Sequence, residues 1–265
     1  MQEQKWIVEG DKTIELGAIR RLKVGLIGGQ VDVIGHDEPT TRIEVHSVRG
    51  RSLKITAIGD SLEIDHAQLA WDNFIDVFRS VTGGARADVS ILVPRDVALK
   101  LGVVSATALV SGITRDLSAS TVSGELVLDG VTGDATLNAV GGEVSARNHS
   151  GRIGVNTVSG DVTASGAITR FAADTVSGDI FLDATGTPDH VRVNTVSGHV
   201  TARLAPGAAQ YKVNTVGGKV TLDDSEISGV RGGYTGRHGQ LDGSWTDVRV
   251  NTVSGNVSVL HTVSA

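Results

Sequence analysis

From about residue 100 onward, β-branched apolar residues alternate with polar ones in short runs, and each run stops at Ser-Gly or Gly-Gly. VRVNTVSGHVTARL (191–204) shows the pattern. A period of two places alternate side chains on opposite faces of a strand. Val, Ile and Thr suit the pleated surface that results. The stops recur as near copies of one hexapeptide: VNTVSG at 155–160, 193–198 and 250–255, ADTVSG at 173–178 and VNTVGG at 213–218. Taking the turn glycines 112, 124, 133, 142, 151, 160, 178, 198, 218 and 255 as markers, the spacing settles at two units per 18–20 residues, with one final gap of 37. Fixed periods of this size predict a solenoid. The reading is all-β: a parallel β-solenoid (β-helix) of 18–20-residue coils.

Stacking explains the repetition. Coils about 4.8 Å apart set equivalent residues above one another. Val158, Val176, Val196, Val216 and Val253 are expected as one interior column, and Val162, Ile180, Val200, Val220 and Val257 as a second. Asn156, Asn194, Asn214 and Asn251, with Asp174 in one coil, are expected to stack at a bend as a hydrogen-bonded ladder. Thr157, Thr175, Thr195, Thr215 and Thr252 form a hydroxyl column. Glycine is expected at each corner because it accepts positive φ.

The organisation expected is one continuous domain, with residues 1–100 as irregular β coils and 101–265 as regular repeats with a long insertion at 223–250. LKVGLIGGQVDVIGHD (22–37), TRIEVHSV, SLKITAIG and SLEIDHA read as degenerate coils, a small β-sandwich being the alternative. One stretch changes period. In DHAQLAWDNFIDVFRSVTGG (65–84), Trp71, Phe74, Ile75 and Phe78 fall at helical spacing, which predicts an inserted amphipathic helix near 66–80 with Asp65 as N-cap. Its aromatic face is a candidate interaction surface. The insertion carries Arg231, Tyr234, Arg237, His238 and Trp245 among glycines, a candidate binding loop on a rigid scaffold.

Composition narrows the function. Lys and Arg total 24 against 30 Asp and Glu, a net charge of −6, which argues against nucleic acid as a partner. Cysteine is absent, so no disulfide framework exists. The N-terminus has no basic region followed by an apolar run, and no stretch has the apolar length to span a bilayer. A cytoplasmic chain without an integral membrane segment is expected.

Catalytic motifs are missing: no GxSxG, HExxH, P-loop, GxGxxG or EF-hand loop occurs. The serine before each turn glycine recurs in every coil, which marks turn chemistry rather than a nucleophile. Carboxylates after the marker glycines, above all Asp161 and Asp179 one coil apart, suit a carbohydrate-active site by spacing. Solvated corner charges account for them equally. The eight histidines show no metal-ligand spacing and are expected at the surface or in turns. No catalytic residue, cofactor, metal or small-molecule ligand is identified.

The TVSG repeats, VGLIGGQVDVIGHDEP near the start and ARADVSILVPRDVALKLGVVSA (85–106) together resemble the DUF4097 family of β-strand-repeat proteins, over roughly residues 20–260. Members are sometimes labelled candidate adhesins. The resemblance implies a parallel β-helix-like fold and supplies no catalytic residues.

The expected function is a non-enzymatic β-solenoid scaffold or protein-interaction module, binding a protein partner or itself. The alternatives are a carbohydrate-binding or carbohydrate-active β-helix protein, or a surface adhesin if exported. VNTVSGNVSVLHTVSA at the C-terminus lacks Pro and Lys gatekeepers. It predicts an open strand edge and, through it, a homo-oligomer.

Overall fold

The computed structural model describes residues 3–66, 84–223, 225–227, 232–241 and 243–262, and the regular elements in them are all strands. Two compact units divide the chain, Met1–Thr132 and Gly133–Ala265.

Unit 1 contains β1 (Glu3–Val8), β2 (Lys12–Gly17), β3 (Arg21–His36), β4 (Thr40–Arg49), β5 (Leu53–Ile58), β6 (Ser61–His66), β7 (Arg86–Pro94), β8 (Ala98–Ser111), β9 (Leu117–Thr121) and β10 (Leu126–Asp129). The long strand β3 serves two ladders. Its first half lies parallel between β6 and β8, and its second half parallel between β7 and β8. The bend between the halves falls in LIGGQ. There Gly29 adopts φ +104, and any Cβ would strike the backbone of Ala87. Antiparallel strands extend both ladders outward, β5 then β1 from β6, and β4 then β2 from β7. On the other side β9 and β10 continue from β8 in parallel.

Unit 2 contains β11 (Ala135–Ala139), β12 (Val144–Asn156), β13 (Val162–Asp174), β14 (Ile180–Ala184), β15 (His190–Asn194), β16 (Val200–Leu204), β17 (Ala208–Thr215), β18 (Val220–Leu222), β19 (Ser225–Ile227), β20 (Gly232–His238), β21 (Trp245–Asn251) and β22 (Val257–His261). One ladder runs β12–β13–β14–β16–β22–β18–β19 and the other β11–β12–β13–β15–β21–β17–β20. All pairings are parallel except the last in each, where β19 and β20 from the insertion lie antiparallel on β18 and β17. Spatial order departs from chain order here. The C-terminal coil of β21 and β22 lies inside, between the coil of β15 and β16 and that of β17 and β18.

That order corrects the expectation of an open C-terminal edge. Both flanks of β22 are paired, with β16 and with β18. The terminal coil is β17 and β18, and the insertion caps it. Within the insertion, β19 and β20 form the cap, while residues from Trp245 already belong to the last coil.

The second predicted column holds. Val162, Ile180, Val200, Val257 and Val220 are in register and buried. Burying each such side chain contributes about 1.5–3 kcal/mol. The first predicted column is overturned. Val158, Val176, Val196, Val216 and Val253 are all exposed, while their neighbours Thr157, Thr175, Thr195, Thr215 and Thr252 are buried. Strand parity decides this: with Val155 inside, Thr157 points in and Val158 out. The buried hydroxyl is tolerated because it is used. Thr157, Thr195, Thr215 and Thr252 each accept a hydrogen bond from the N–H of the glycine three residues on, at 3.0–3.1 Å.

The corner glycines are also required for a different reason from the one expected at most coils. Gly178 does take φ +127. Gly160, by contrast, has no positive φ; a Cβ there would meet the carbonyl oxygen of Gly142 in the preceding coil. Close stacking, not turn conformation, excludes a side chain at that position.

The side-chain ladder at the bend is present. Asn156 donates to Asn138, Asn194 to Asp174, Asn251 to Asn194 and Asn214 to Asn251, at 2.6–3.0 Å. The helix expected over 66–80, with Trp71, Phe74, Ile75 and Phe78, lies outside the described residues. Asp65, expected as its N-cap, and His66 belong to β6.

Candidate functional site

The outer face of the β13–β15–β21–β17 ladder collects positive charge. Register places Arg192, Arg249 and Lys212 in one row on adjacent strands. The adjoining row holds Arg170, His190, Asp247 and Gln210. The row on the other side is the side-chain ladder of Asp174, Asn194, Asn251 and Asn214. Most of these residues, apart from Gln210, Asp174 and Asn194, line an open groove of about 560 Å³. Parallel pairing with a shared coil length builds the row, because it aligns one exposed position of VRVN with the same position of the next coil.

The groove is poorly neutralised from within. Asp247 lies 2.7 Å from Arg249 and 3.6 Å from His190. Arg170, Arg192 and Lys212 make no ion pair or side-chain hydrogen bond among the described residues. Like charges directly opposite one another weaken a ladder. A second hollow of about 480 Å³ shares His190, Asp247 and Arg249 with the groove and brings in the half-exposed Trp245.

The proposed binding-loop residues divide between two places. Trp245 begins β21 beside the groove. Arg237 pairs in register with Gln210 and extends the row outward. Tyr234 and His238 alternate with Arg237 on the opposite face of β20. Arg231 lies outside the described residues.

His238 belongs to a second cluster. Its Nδ1 lies 3.3 Å from Asp223 Oδ2. His261 Nδ1 lies 3.0 Å from Asp223 Oδ1, and the His261 backbone N–H donates to that oxygen at 2.8 Å. The two imidazoles stack with centroids 4.0 Å apart. Tyr211 Oη is 3.1 Å from His261 Nε2. Burial raises the Asp223 carboxyl, but hydrogen bonds from the His261 backbone and ring, with both imidazoles nearby, outweigh it and hold its pKa below the ordinary value. Tyr211 is shifted upward by burial and then by the charge of Asp223. Asp223 itself takes φ +49, a conformation Asp tolerates better than most residues. The sequence reading missed this cluster because its residues lie far apart in the chain and no local spacing announces it.

The carboxylates weighed for sugar chemistry are engaged structurally. Asp161 Oδ1 accepts the N–H of Asp179 at 2.8 Å, and Asp179 Oδ1 accepts that of His199 at 2.9 Å. Two histidines expected at the surface are instead fully buried, His66 and His149. His66 Nδ1 accepts the N–H of Ile27. Burial, then the positive charge of Arg51, pushes its pKa down to about 4. Burial also lowers His149, and neither of its ring nitrogens has a hydrogen-bond partner among the described residues.

A protein-family model described as Toastrack DUF4097 matches residues 22–260. No curated protein sequence matches the chain. A candidate lipid-binding protein from Parabacteroides distasonis shares 11% identity at a TM-score of 0.51, covering 96% of this chain and 97% of that one, which shows a common fold. A candidate adhesin from Bacteroides fragilis shares 12% identity at a TM-score of 0.41, covering 94% of this chain and 97% of that one. No helix among the described residues is long and apolar enough to cross a membrane.

Proposed function

The chain belongs to the Toastrack DUF4097 family, and from that premise we propose that it is a non-enzymatic β-solenoid binding scaffold whose cationic groove takes an acidic segment of a protein partner. The observation that carries the reading is the row of Arg192, Arg249 and Lys212 on three adjacent strands. Strands about 4.8 Å apart hold three like charges in a line. Like charges on neighbouring strands repel, weakly where they are exposed to water. An anionic chain laid across the strands relieves that repulsion and gains charge-assisted hydrogen bonds. Trp245 beside the groove offers an aromatic anchor of the kind that concentrates binding energy. The backbone duties of Asp161 and Asp179 support the non-enzymatic part of the reading.

The test is fluorescence anisotropy with a labelled oligoglutamate peptide. Wild-type protein binds, and affinity falls as salt is added, because exposed charges are screened. A variant carrying Arg192→Glu and Arg249→Glu binds at least about tenfold more weakly, the loss of roughly 1.4 kcal/mol or more. Arg203→Glu on the other ladder, where Arg203 pairs with Asp183 at 3.3 Å, leaves binding unchanged. Equal affinity in wild type and the double variant would overturn the assignment.

A further inference from the structure

The cluster at the capped end of unit 2 has the composition of a metal site. Asp223 follows β18, His238 closes β20 and His261 closes β22, so the ends of three strands bring one ligand each to one point. One ligand atom from each lies within 4.8 Å of the other two. Metal–nitrogen and metal–oxygen bonds of about 2.0–2.2 Å place neighbouring ligands of a tetrahedral site roughly 3.3 Å apart. Here one carboxylate oxygen, Asp223 Oδ2, lies 3.3 Å from Nδ1 of His238 and 3.3 Å from Nδ1 of His261.

We infer that Asp223, His238 and His261 form a binding site for a divalent first-row transition ion of the zinc type, which fastens the inserted cap and the C-terminal coil to the end of the solenoid. Two imidazole nitrogens and one carboxylate oxygen suit such ions; calcium and magnesium favour all-oxygen sets. The hydrogen bond between Tyr211 Oη and His261 Nε2 fixes the ring and leaves Nδ1 for the metal, as outer partners of ligating histidines do. The rings stack with centroids 4.0 Å apart, and both Nδ1 atoms lie 3.3 Å from Asp223 Oδ2. A tilt of His238, whose side chain is 42% exposed, brings both lone pairs onto one ion. Three protein ligands leave a fourth position for water.

The consequence is mechanical. β20 is held to unit 2 through β17, and β22 lies between β16 and β18; an ion bound to Asp223, His238 and His261 ties β18, β20 and β22 together directly. Binding free energy at a site made only in the folded state adds to stability.

The inference is independent of the cationic groove and is tested separately, by titrating zinc chloride into chelator-treated, tag-free full-length protein in a calorimeter. The expected result is one ion per chain and a rise in melting temperature that magnesium does not reproduce. His238→Ala, at a half-exposed cap position, keeps the fold and weakens zinc binding by at least about tenfold. Tyr211→Phe keeps the ligands and weakens it roughly tenfold through the lost orienting bond. Cobalt substituted for zinc gives the visible absorption of a four-coordinate site. Absence of binding by wild type at millimolar zinc overturns the inference. So does binding that His238→Ala and Asp223→Asn both leave unchanged, since the ion then sits elsewhere.

Discussion

At the scale of single residues, the Thr-Val pair of each corner shows how parity overrides hydrophobicity. Thr195 is 6% exposed and Val196 47% exposed, although valine is the more apolar. The Thr195 hydroxyl accepts the N–H of Gly198, a group with no other partner so deep in the corner. Thr195→Val therefore strands a buried donor and costs about 1–3 kcal/mol. Val196→Thr changes an exposed face and stays within about 0.5 kcal/mol. Urea denaturation of the two variants checks the contrast, and equal midpoints would refute it. His66 gives a second prediction. Its folded pKa of about 4 lies below the ordinary 6.5. The unfolded chain thus binds more protons between those values. Stability from the neutral ring is complete above pH 6.5 and is lost as pH falls toward 4, at about 1.4 kcal/mol per unit. Asp65 beside it is raised by burial and acts in the opposite sense. Between pH 7 and 4.5, wild type should lose roughly 2 kcal/mol more unfolding free energy than His66→Gln. Parallel losses would show that His66 is not the titrating group.

At the scale of elements, the C-terminal strand is an internal part of its ladder. β22 separates β16 from β18, and Val257 faces Val200 on one side and Val220 on the other. Removing residues 257–265 takes a rung from the middle and leaves β16 and β18 each short of one of their two partners. The expected outcome is loss of cooperative melting, with unit 2 becoming sensitive to limited proteolysis. An unchanged melting curve would mean the ladder closes without β22. The cap follows the same logic. β19 and β20 cover the terminal coil of β17 and β18 in antiparallel pairing, which blunts an edge that would otherwise offer itself to other strands.

At the scale of the whole molecule, net charge and local charge have opposite signs. The chain carries −6 overall, yet Arg170, Arg192, Arg249 and Lys212 converge on one groove. On the proposed reading, the groove would take an anion that lies along the rows even though the chain as a whole is negatively charged. This is selection by position rather than by total charge. The salt dependence expected for the oligoglutamate peptide belongs to this scale, since it measures the groove and not the average surface.

The sequence by itself determined the strand period, the coil length, the second aliphatic column and the amide ladder. Each follows from residues that repeat at one interval, and an interval survives any arrangement of the coils. It also carried the family resemblance, in the TVSG repeats and the stretch around Gly28 and Gly29. Tertiary structure decided what the interval leaves free. The last coil slots between two earlier ones because VNTVSG copies are interchangeable as neighbours: Asn251 bonds Asn194 and Asn214 equally well. A sequence of near-identical rungs does not encode their order. For the same reason the cationic row and the Asp223, His238 and His261 cluster were invisible beforehand. Arg192 meets Arg249, and Asp223 meets His261, only once the C-terminal coil has taken its internal place.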